Sequence, residues 1–134
     1  MKIMFPKFLR TVISFLVCLF VASCASEVHR IPTGLIPATT GTDRVIVLAA
    51  NTEVAPANGY KRVLRYGSKW KFIGHISQGS VFEIQNDVFM LEAKHMHQAH
   101  LVLSSNNRLV GFFLPVEEAF VPLSASVQLS VKDK

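Results

Sequence analysis

Three imidazoles close together are the first place where this chain could do chemistry: His95, His97 and His100. Neutral imidazole is a good ligand for zinc or copper. On a strand, His95 and His97 would share one face and His100 would point to the other, because side chains alternate. On a helix, His97 and His100 would be neighbours and His95 would not. Either geometry supplies two ligands, so a metal site would need a loop, or a further group such as Glu92 or His75 brought from elsewhere. The chain has no HExxH and no acidic triad to support one. The expectation is a polar connection between strands with no cofactor bound. The three histidines stand as metal candidates, with a pH-sensing role as the other reading.

The second candidate is basic. Between Glu53 and Glu83 there is no acid, while Lys61, Arg62, Arg65, Lys69 and Lys71 occur among Tyr60, Tyr66 and Trp70. Basic residues interleaved with aromatics can bind nucleic acid. They also suit anionic lipid head groups or phosphorylated glycolipid. The plainer alternative makes Lys69 and Lys71 the outward alternates of a strand whose Trp70 faces the core. Catalytic groupings are absent from the sequence. No serine sits in a Gly-x-Ser-x-Gly elbow, and there is no P-loop or Gly-x-Gly-x-x-Gly. Glu117 and Glu118 are adjacent, so on a helix they would diverge. The chain reads as no enzyme.

Which partner such groups could meet depends on the compartment, and the opening residues address that. Lys2, Lys7 and Arg10 precede an apolar run from Thr11 to Ala22, which closes on Val21-Ala22-Ser23-Cys24. A basic start, a short apolar core and small residues at the end make a secretory leader. The run is too short for a membrane span, which takes ~20 apolar residues. Its ending resembles the lipobox of bacterial lipoproteins. That resemblance implies a diacylglycerol on the Cys24 thiol, cleavage just before it, and a further acyl chain such as palmitate on the new amino terminus. It also implies that Ala25, which is not aspartate, permits export to an outer membrane. The partners expected are then the membrane through Cys24 and another envelope protein. Nucleic acid is not among them.

Charge and cysteine content agree with this reading. Lys2, Lys7 and Arg10 leave with the leader while all nine acids stay, which brings the net charge from +5 to +2. A pI near 9.5 therefore owes much to the leader. Of the two cysteines, Cys18 is lost with the leader and Cys24 is lipidated, so no thiol is left in the folded part for a disulfide, a nucleophile or a metal.

Residues Ala25 to Asp43, with Pro32, Gly34, Pro37 and Gly41, read as a flexible tether able to reach up to ~60 Å if extended. Ile31 and Leu35-Ile36 hint at contact with a surface. From Arg44 onward, short β-like runs alternate with turns. Val45 to Leu48 reads as a strand buried on both faces. Pro56-Ala57-Asn58-Gly59 is a turn, and Tyr60 to Tyr66 follows it. In Lys69 to Ser77, Trp70, Phe72 and Ile76 should share one face. Val81 to Gln85 and Val88 to Ala93 come next. Leu101 to Leu103 and Leu109 to Leu114 flank a hairpin turn at Ser105 to Arg108. In the last run Ala125, Val127, Leu129 and Val131 should be buried, between Ser124, Ser126, Gln128 and Ser130 in water. Pro115 to Phe120 is the best place for a short helix, and Lys94 to Ala99 is ambiguous.

The fold class expected is all-β, a small barrel or sandwich of about seven to eight strands, SH3-like or OB-like by analogy. The expected divisions are a signal peptide at 1–23, a lipid-anchored tether at 24–43 and a small β domain at 44–134. The function expected is a membrane-anchored accessory or structural component of an envelope or secretion-type assembly. The alternative is a periplasmic metal- or ligand-binding lipoprotein using the histidine segment.

Overall fold

Strand-forming runs broken by Asn, Gly and Pro fold this chain into an all-β domain. The computed structural model describes residues 30–57, 59–93 and 95–134. The leader, Cys24 and the first residues of the expected tether lie outside them.

The strands are β1 (Ile31–Pro32), β2 (Ile36–Pro37), β3 (Val45–Leu48), β4 (Thr52–Val54), β5 (Arg62–Leu64), β6 (Lys69–Ile76) and β7 (Gly79–Ile84). They continue with β8 (Met90–Glu92), β9 (Met96–Gln98), β10 (His100–Ser104), β11 (Arg108–Leu114), β12 (Ala119–Gln128) and β13 (Val131–Asp133). Several are only two or three residues long, which is why the sequence suggested fewer. One antiparallel sheet runs β1-β12-β11-β10-β7-β6-β3-β13, with β2 added to β6. The pairs β4–β5 and β8–β9 are separate two-stranded ribbons.

Among the described residues no sheet closes into a barrel. β12 and β13 lie toward opposite ends of the strand order, yet only Leu129 and Ser130 separate them in the chain. The sheet therefore curls until its ends are joined by two residues of backbone and not by a ladder. The same stretch of chain pairs first with β11 and then with β3, so no second strand remains to zip the gap.

Alternation gives the sheet two apolar faces. One carries the main core, with Ile46, Leu48, Trp70, Phe82, Leu101, Leu103 and Phe112, and Val54 and Leu64 of the β4–β5 ribbon pack there too. The other carries a smaller cluster of Ile76, Val81, Val102, Phe113 and Phe120. Ile76 belongs to that second face, against expectation. The register on β7 slips between Phe72 and Gly74, so one extra residue puts Ile76 out of phase with Trp70.

What covers the second face is the segment read as a flexible tether, through the same Ile31 and Leu35-Ile36 that hinted at contact with a surface. Ile31 pairs with Phe120 on β12, Ile36 pairs with His75 on β6, and Leu35 packs on the cluster. Thr33 N donates to Glu118 O at 3.0 Å and Ala38 N to Ile73 O at 3.0 Å. This strap has no periodicity because each strand is one Ile-Pro dipeptide. Proline holds its predecessor extended and is tolerated only at sheet edges. Strands β12 and β6 lie four steps apart in the order, which would be ~19 Å in a flat sheet. The residues from Pro32 to Ile36 reach only ~14 Å, so the sheet is strongly bent beneath them. Gly74 makes room for the crossing: its φ is +149°, and any Cβ there would strike the Ile36 carbonyl oxygen.

Two further expectations change. Pro115 to Glu118 forms a tight turn between β11 and β12, with Glu118 at φ 50°, and not a helix. Along β12 the buried residues are Ala119 to Val121 and Leu123, while Ala125 is exposed with Ser124 and Ser126. Those residues bow away from β11, whose ladder jumps from Leu109↔Val127 to Gly111↔Pro122. The bow pairs instead with the chain after β4, where Ser124 N donates to Ala55 O at 2.9 Å and Pro56 bridges Leu123. The β10–β11 hairpin forms where expected, turned by one 3-10 turn at Ser105–Asn107.

Candidate functional site

The fold separates the three histidines. His95 lies in the turn of the β8–β9 ribbon, exposed, its carbonyl accepting from Ala93 N at 3.1 Å. His97 stands on β9 opposite Leu91. Its Nδ1 is 2.7 Å from Glu117 Oε1 in the β11–β12 turn, in a pair whose side chains are 17% and 24% exposed. His100 opens β10 on the face of Val102 and is only 5% exposed, its ring tilted against Phe113 with centroids 6.4 Å apart. Burial lowers its pKa below the ordinary 6.5, opposed by the charge of Glu83 and a backbone hydrogen bond at Ala99. His100 is thus a neutral core residue. Among the described residues no group of three His, Cys, Asp or Glu is placed to hold a metal.

Glu117 is the member that sequence reasoning missed. On the expected short helix it would diverge from Glu118 and had no facing partner. Only the fold places the β11–β12 turn beside β9.

The basic stretch is partly neutralised by acids from elsewhere. Lys61 meets Glu53 at 3.4 Å, Arg62 meets Glu92 at 4.0 Å and Lys71 meets Asp43 at 3.9 Å. Arg65 and Lys69 are exposed and make no ion pair among the described residues. Trp70 is buried as expected, its indole N–H donating to Ser68 Oγ at 3.0 Å.

Arg62 and Arg65 help line a cleft of about 220 Å³ between β5 and Asp87 to Phe89, with Trp70 and Ile84 also in its wall. The Arg62 guanidinium lies 5.1 Å from the centre of the Phe89 ring, a cation–π contact, and its Nε is buried with no hydrogen-bond partner. The Asp87 carboxylate is turned to its own backbone, accepting from Val88 N at 2.7 Å. Val63 and Val88, which border the cleft, are 52% and 60% exposed. Tyr60 and Tyr66, on either side of β5 in the chain, are exposed as well. Cationic donors thus stand beside uncovered apolar side chains in this cleft, an arrangement suited to binding. Comparison with family models, with curated proteins and with solved structures gives no match to this chain.

Proposed function

We propose that this chain is a lipid-anchored envelope protein, held by acylated Cys24 to the periplasmic face of an outer membrane. Its β domain is a non-catalytic accessory that docks onto another envelope component. The observation that carries the anchor is the leader, with its basic start, its short apolar run and its Val21-Ala22-Ser23-Cys24 ending. The docking half rests on the uncovered Val63 and Val88 beside Arg65, since exposed apolar side chains rimmed by charge mark interaction surfaces.

Site-specific photo-crosslinking in intact cells tests the docking half. A photoreactive residue at Tyr66 should capture one discrete envelope protein. The same residue at Val116, which is 77% exposed in the β11–β12 turn, should not. Equal capture at both positions, or at neither, contradicts it.

A further inference from the structure

The cleft beside β5 is an interrupted ladder. Tyr60 N donates to Glu92 O at 3.3 Å, so β8 turns an edge toward the start of β5. Continuing in the antiparallel sense, Arg62 would pair with Met90, Leu64 with Val88 and Arg65 with Asp87. Among the described residues no such ladder forms: β5 pairs with β4, and β8 with β9. β5 and the residues that lead into β8, Asp87 to Phe89, instead stand apart as opposite walls of one cleft. Each ribbon is therefore left with an edge outside any ladder. Such an edge is a template for another strand.

We infer that this seam receives an extended peptide from a partner protein, which adds as a strand to the free edge of β5 and sets an acidic side chain against Arg62 and Arg65. Charge decides the chemistry of the occupant. The Arg62 guanidinium is already oriented by the Phe89 ring, meets Glu92 only at 4.0 Å and has an unused Nε. Arg65 has no ion pair among the described residues. A carboxylate accepts from such donors in a charge-assisted, often two-pronged bond. The peptide's alternate side chains would meet Val63 and Val88. Strand addition of this kind draws affinity from the main chain and specificity from side-chain pockets.

The inference rests on the docking reading, and its test does not involve the anchor. The full chain, purified in detergent, is titrated with the capped peptide Thr-Val-Glu-Val-Thr and with its Gln counterpart. Trp70 is the only tryptophan in the chain and lies in the cleft wall, so its emission reports occupancy. The expected result is saturable binding of the Glu peptide with slowed amide exchange in β5. Affinity should fall about tenfold or more for the Gln peptide, for Arg62→Gln and for Arg65→Gln. Methylating alternate peptide nitrogens should abolish binding. Arg65 is exposed, so Arg65→Gln keeps the test open if Arg62→Gln fails to fold. Absence of saturable binding, equal affinity for both peptides, or acetate alone reproducing the response would overturn the seam. A single Tyr66 adduct in cells would then leave the docking reading standing without it.

Discussion

Nδ1 of His97 lies 2.7 Å from Oε1 of Glu117, and this contact fastens the β8–β9 ribbon to the turn between β11 and β12. Both side chains are mostly covered, and Glu117 Oε2 is buried with no partner. Removing the imidazole would leave the whole carboxylate unpaired. His97→Ala should cost about 1–3 kcal/mol in urea unfolding at neutral pH. Glu117→Ala should cost a similar amount, and the double variant less than their sum. Strictly additive losses would show that the two groups do not act together.

His100 should make the domain acid-sensitive. Its folded pKa is lowered by burial, so the unfolded chain takes up a proton at about pH 6.5, where the folded chain does not. Protons then favour unfolding. The sign is a loss of stability as pH falls below about 6.5, with no contribution above it. His100→Leu, on a face shared with Val102 and Phe113, should flatten the pH dependence of the urea midpoint between about 7.5 and 5.5. An unchanged slope would assign the effect to other groups.

Gly74→Ala should dislodge the strap. The new methyl would meet the Ile36 carbonyl at a backbone conformation that only glycine adopts readily. A loss of about 1–3 kcal/mol is expected, with faster amide exchange at Ala38, whose N–H is bonded to Ile73 O. Wild-type exchange at Ala38 in the variant would show that the strap accommodates the methyl.

What could be read from the chain was local. Turn residues at Ser105 to Asn107 and alternation around Trp70 gave the hairpin and the main core, because both depend on near neighbours. The surface contact hinted at by Ile31 and Leu35-Ile36 is there, but its pairing with β12 and β6 was not legible, since Ile31-Pro32 and Ile36-Pro37 are too short to show a period. Ile76 was assigned to the wrong face because a bulge leaves no mark in polarity. The same limit hid the seam. That Arg62 faces Glu92, and that β5 and β8 separate beyond Tyr60, are relations between distant segments.

Mass spectrometry of the amino-terminal peptide from the membrane fraction decides whether the protein is anchored through Cys24. The expected chain begins at Cys24 and carries a diacylglycerol thioether and an amide-linked acyl group, with Cys24→Ser accumulating as uncleaved precursor. A mature chain that starts elsewhere, or that starts at an unmodified Cys24, would contradict it.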